Sequence, residues 1–361
     1  MPNRPHITSP DSPALDELCR ELAARADQTD RSGDWPDRQL ELCGEYGVFQ
    51  WFLDSAWGGQ SWSDIDQVRG YLRLASACLT TTFIITQRTG ACGRIAAAGS
   101  TWLKQHLLPP LASGETFATL GISHLTTSRR HLDRPVMRAE ELPDGFRLEG
   151  FSPWVTGGAQ AEVIVTGATL PDGRQVLLAL PTQSPGVECR EPASLVALTA
   201  SCTGSVECHG VVVPGKWLLA GPVENVISSG VGGNTGGLQT STLAVGLASA
   251  AVDFLKNESV QRDDLTEPTD QLAADYDTLE TDLLNLAAGR QGCTLENIRT
   301  RANSLVLRST QASLTAAKGT GYVVGHPTGR WCREALFFLV WSCPQPVMSA
   351  ALCELAGISD F

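Results

Sequence analysis

The strongest constraint on this chain is that its hydrophobic period changes twice, from helical to strand-like and back again. Residues 11 to about 112 read as helical. Ser12 stands as a cap before Pro13 at a first helical position, and Leu15, Leu18 and Leu22 follow at helical spacing. Ser63 opens a longer helical run. Ser100 opens TWLKQHLL, which Pro109 and Pro110 are expected to end. From about 113 to 220 the pattern is that of strands. Pro-Asp-Gly turns at 143–145 and 171–173 separate VMRAEEL from FRLEGF and AEVIVTGATL from RQVLLAL, and a last strand, GSVECHGVVV, stops at Pro214. Beyond 221, Leu272, Tyr276, Leu279, Leu283 and Leu286 form one apolar helical stripe, and similar stripes occur in 238–256, 294–317 and 328–341. Short connections between these stripes suit antiparallel packing. The reading is an α+β fold: an N-terminal helical domain over 1–112, a middle antiparallel β domain over 113–220, and a C-terminal antiparallel helical bundle over 221–361.

Composition removes several function classes. With 42% hydrophobic and 18% charged residues the chain can bury a sizeable core. A net charge of −12 argues against nucleic acid and anionic membrane surfaces as partners, while leaving room for an anionic small ligand met by local donors. No run of 18 apolar residues appears, and MPNRPHITSPDSP has no apolar segment of the secretory type, so neither a membrane span nor a signal is expected. The 11 cysteines are scattered without a C-x-x-C pair, which fits buried thiols in the cytoplasm and no metal site.

Five stretches, in register over most of the chain, carry a resemblance. YGVFQWFLDSAWGGQSWS (46–63), GSTWLKQHLLPPLASGE (99–115), LEGFSPWVTGGAQAEVIVTGAT (148–169), SCTGSVECHGVVVPGKWLL (201–219) and KGTGYVVGHPTGRWCREA (318–335) together resemble the acyl-CoA dehydrogenase family. The resemblance implies that family's fold, bound FAD, an acyl-CoA or related substrate, and a homodimer or homotetramer. It also implies site residues. Trp154 and Thr156, two apart on a strand, stand where the family covers the isoalloxazine ring and bonds its polar edge. Ser123 replaces the hydroxyl residue of the flavin-binding loop, whose Pro and Gly residues are absent here. The basic stretch that follows, with Arg129, Arg130 and Arg134, offers groups for phosphates. Arg262, Gly319 and Gly321 match contacts that reach the adenine end of a partner subunit's FAD, although Leu265 and Thr266 replace the expected Phe and Gly.

The resemblance fails at the residue that matters most for the family's reaction. Removing a proton next to a thioester needs a positioned carboxylate. In register, the family's glutamate is Ser342, beside Trp341 in the pocket, and the alternative position at 232–241 has no acid either. Pro344 and Pro346 still mark a loop there. Three readings stay open: dehydrogenation of CH–CH groups of an acyl thioester with an unidentified base, a monooxygenase or oxidase on the same fold, which needs no such base, and a non-catalytic flavin-binding relative.

Overall fold

Helices, then a sheet, then helices follow along the chain, in a computed structural model that describes residues 4–126, 135–228 and 237–358. The first helices are α1 (Pro13–Ser32), α2 (Asp37–Glu45), α3 (Asp64–Ala77), α4 (Leu79–Ala97) and α5 (Thr101–Ser113). Leu15, Leu18, Leu22 and Ala26 of α1 are buried along one stripe, and Gly33 ends the helix at φ 68°, its N–H bonded to Thr29 O. Ser63 and Ser100 accept from Asp66 N and Leu103 N and so cap α3 and α5, whereas the Ser12 side chain makes no capping bond.

Two local expectations are corrected. The run opened by Ser63 is two helices, broken at the extended Cys78. Pro109 and Pro110 lie inside α5 rather than ending it, and Gly114 at φ 82° is the stop. Prolines here free the carbonyls of Gln105 and His106, whose residues are exposed, so water can take the missing bonds.

The sheet contains β1 (Ala118–Gly121), β2 (Met137–Leu142), β3 (Gly145–Thr156), β4 (Val163–Thr169), β5 (Gln175–Pro181), β6 (Val187–Cys189), β7 (Thr203–Pro214) and β8 (Leu218–Val223), with the short helix α6 (Ser123–Thr126) after β1. Its order is β6-β7-β3-β2-β4-β5-β8, with β1 also on β4. Both Pro-Asp-Gly turns join antiparallel neighbours, β2 to β3 and β4 to β5. The β1–β4 and β2–β4 pairings are parallel, so the sheet is mixed.

The chain then enters α7 (Leu238–Ser259), α8 (Thr266–Ala287), α9 (Leu295–Gly321), α10 (Pro327–Ala335), α11 (Phe337–Val340) and α12 (Gln345–Leu355). By length and composition α7 could cross a bilayer, but most of that window is buried, as in a core helix. Gly246 of α7 makes this packing close: a Cβ there would lie 2.7 Å from Leu72 O and from Ala75 Cβ of α3. One hydrophobic cluster runs through α1, α3, α7, α8 and α9, so the N-terminal and C-terminal helices share a core. A second cluster ties α4 and α5 to the inner face of β4 and β5.

Candidate active site

Helix α4 is buried on almost every side, and its Thr-Thr-Thr-Phe-Ile-Ile-Thr run holds helical form because it is enclosed. Thr82 and Thr86 satisfy their hydroxyls on Cys78 O and Phe83 O of their own turns. One of its faces, at Phe83, Gln87, Gly90 and Arg94, borders a cavity of about 980 Å³ where the sheet and both helical parts meet. Gly90 lets β1 come close, since a Cβ would fall 2.5 Å from the movable Leu120 Cδ1.

The sheet supplies the polar wall. A register shift between Ser152 and Val155 in the β3–β7 pairing turns Trp154 outward into the cavity, where the indole stays 42% exposed. Ser123 lines the same cavity, and its Oγ is buried with no hydrogen-bond partner among the described residues. Thr156 does not reach this wall. It is buried, and its hydroxyl bonds Thr203 Oγ1 at 2.9 Å, which in turn bonds Ser201 Oγ at 2.8 Å. Of these three, Ser201 and Thr203 line the cavity and Thr156 does not. Period-two reasoning had put Trp154 and Thr156 on one face. The shift in pairing hides Thr156, and the cue to its replacements is the Ser-Cys-Thr run at the start of β7.

The opposite wall comes from α11. Phe337 and Trp341 stack at 5.3 Å and 23°, and both meet Phe83 edge-on, at 4.9 and 5.0 Å. Ser342 follows at φ 42°, a conformation that costs a non-glycine residue about 1–3 kcal/mol. The buried Arg299 donates to Trp341 O at 2.9 Å and Asn303 donates to Phe338 O at 2.9 Å, so α9 clasps the carbonyls on either side of this turn. Burial lowers the Arg299 guanidinium to about 10, which leaves it cationic at neutral pH. Burial also pushes the Cys343 thiol up, against the opposing pull of Arg299, so this cysteine is no ready nucleophile.

Charge in the cavity is one-sided. Arg94 lines it, donates to Gly90 O at 3.0 Å, and is lowered by burial to about 10. Arg333 also lines it and is held by Asp30 at 3.0 and 2.5 Å. No Asp, Glu or His lines the cavity among the described residues. Glu334 is buried on α10, paired with Arg330 at 3.1 Å. Burial raises its carboxyl, and it is not part of the cavity wall.

Arg262, Gly319 and Gly321 lie elsewhere. Arg262 donates to Ala316 O at 2.7 Å and pairs with Asp264 and Glu258, which sets it against the glycine-bearing end of α9. Tyr322, 87% exposed, and the exposed Val323 and Val324 follow. Arg129, Arg130 and Arg134, and residues 232–236 of the alternative base position, fall outside the described residues.

Comparison with known proteins agrees with this architecture. Residues 14–115 match the family model for the acyl-CoA dehydrogenase N-terminal domain. A probable acyl-CoA dehydrogenase of Bacillus subtilis is 26% identical over 264 residues, covering 71% of this chain and 68% of that one. The glutaryl-coenzyme A dehydrogenase–glutaryl-CoA complex superposes with a TM-score of 0.81 at 20% identity, covering 96% of both chains. Dibenzothiophene monooxygenase from Paenibacillus superposes with a TM-score of 0.78 at 18% identity, covering 94% of both chains.

Proposed function

We propose, from its likeness to the acyl-CoA dehydrogenase family, that the chain holds FAD non-covalently in the central cavity and oxidises an acyl thioester or a related apolar substrate there. One observation carries the reading: the buried Ser123 Oγ, without a hydrogen-bond partner among the described residues, and the open Trp154 indole line the same cavity. A flat ring with a polar edge satisfies both at once, the indole by face contact and the hydroxyl by a hydrogen bond. Ser201 and Thr203 offer two further hydroxyls on the same wall. Bound flavin would supply the two-electron acceptor that no side chain can supply. Arg94 would favour substrates or transition states with developing negative charge nearby. The absorption spectrum of the purified protein, with chromatography of the released cofactor, tests the reading. Oxidised-flavin bands and released FAD support it. FMN would correct the cofactor, and a colourless protein that takes up neither would overturn it.

A second reading, oxygenation on this fold, is favoured by the lack of a carboxylate around the cavity among the described residues. It would be read as incorporation of labelled dioxygen into an apolar substrate by the reduced protein. Unlabelled product under those conditions removes it.

The corner formed by Arg262, Gly319 and Gly321, with exposed Tyr322, Val323 and Val324 next to it, supports a homodimer or homotetramer in which this corner meets a second copy. A flavin-loaded monomer by light scattering contradicts that assembly.

A further inference from the structure

The α11 side of the cavity is an aromatic corner, and we propose that it selects a substrate carrying a planar aromatic group over an aliphatic one of the same size. The inference deepens the proposed function and rests on its reading of the cavity as the substrate site. Three rings meet in this corner. Phe337 and Trp341 lie nearly parallel, 23° apart, and present their partly exposed surfaces to the cavity. Phe83 stands edge-on to both, at 68° and 87°, and is buried as the floor. Such a corner offers a further flat ring the same choice of stacked and edge-to-face contacts that its own members make. A saturated ring of equal size buries the same area but gains none of the quadrupole contact.

Two features make the corner selective rather than merely apolar. It is held in advance. Arg299 on Trp341 O and Asn303 on Phe338 O fix the turn that carries the indole, and the left-handed Ser342 follows from that hold. A wall fixed before binding loses little freedom when the ligand arrives. Its charged neighbour, Arg333 one turn before Phe337, is already held by Asp30. Gln87 bonds Thr86 Oγ1, and Gln239 bonds the Tyr71 hydroxyl, so the amides nearby are already engaged within the protein. Ring surface of Phe337 and Trp341 remains open to a substrate's far end, beside the aliphatic Leu336 and Val340.

The test compares two thioesters of equal heavy-atom count, S-benzoyl- and S-cyclohexanecarbonyl-N-acetylcysteamine, by isothermal titration of the protein as purified. The benzoyl compound should bind about 2- to 10-fold more tightly. Trp341→Leu and Phe337→Leu should each bring the ratio toward one, while Trp341→Phe, which keeps a ring, should retain most of it. Equal affinities, a preference for the saturated ring, binding of neither compound, or a ratio unchanged in Trp341→Leu would overturn the inference. Flavin absorbance on the same samples separates the two failures. Flavin without ring discrimination sinks this inference alone. Discrimination without flavin keeps it and removes the flavin reading.

Discussion

Trp154 offers a flat ligand an open indole at the cavity wall, and Ser123 on the same cavity is a buried hydroxyl without a partner among the described residues. Trp154→Ala should therefore weaken flavin retention by about 10-fold or more through lost ring contact, and Trp154→Phe by less, as read by titration of the stripped protein. His124, next to Ser123, gives a pH prediction. It is buried, its Nε2 lies 2.8 Å from Gly167 O, and burial holds its imidazole below the ordinary value of 6.5. Gly167 O can only accept, so the neutral ring carries its proton on Nε2. Between the folded and unfolded pKa values the unfolded chain binds more protons, so stability rises with pH there and is level above about 6.5. Acidification below that value should cost up to about 1.4 kcal/mol per pH unit, and His124→Gln should flatten this part of a thermal-melt series. That Trp154 and Ser123 border the cavity fits the resemblance, which rests on a kept Trp-x-Thr strand at Trp154 and on the hydroxyl alone at Ser123. Ser201 and Thr203 were not legible in the sequence, because a shift in strand pairing leaves no mark on the period of either strand.

Among the elements, those with a single buried face were plain in the sequence: α1, α8 and the strand pairs joined by Pro-Asp-Gly all show their period. Helix α4 was not recognised as the cavity wall, since enclosure on all sides erases the amphipathic stripe that would have marked the exposed face. The only trace is the small pair Gly90 and Gly93 on the face that borders the cavity. The parallel β1–β4 pairing joins residues some 45 apart in sequence and depends on that same helix closing over it. Close packing of α7 on α3 at Gly246 predicts that Gly246→Ala destabilises by about 1–3 kcal/mol, because backbone as well as side chain blocks the added methyl. Arg299→Leu should cost about 1–3 kcal/mol by leaving the Trp341 carbonyl without its donor, while Asn303 still serves the Phe338 carbonyl. Denaturant melts check both, and a change within about 0.5 kcal/mol would count against either.

At the scale of the molecule, the helical parts share one core, and the sheet closes against them to leave one large space whose lining joins apolar, hydroxyl and cationic groups without a carboxylate among the described residues. The order of helices, sheet and helices could be read from the sequence, whereas Ser342 at the place of the usual acid is what the resemblance implies. What could not be read is whether another acid folds into the space. Glu334 was the nearest in sequence, and it is spent on Arg330. We propose that the site has kept its wall for a flavin and lost the base for α-proton removal, a loss worth about 10²–10⁴-fold in rate. Anaerobic mixing of the flavin-loaded protein with butyryl-CoA and octanoyl-CoA measures this directly. Flavin absorbance that stays unbleached, or fades at least 100-fold more slowly than in a Ser342→Glu variant, is the result predicted. Rapid bleaching of the unaltered protein by either thioester would contradict it.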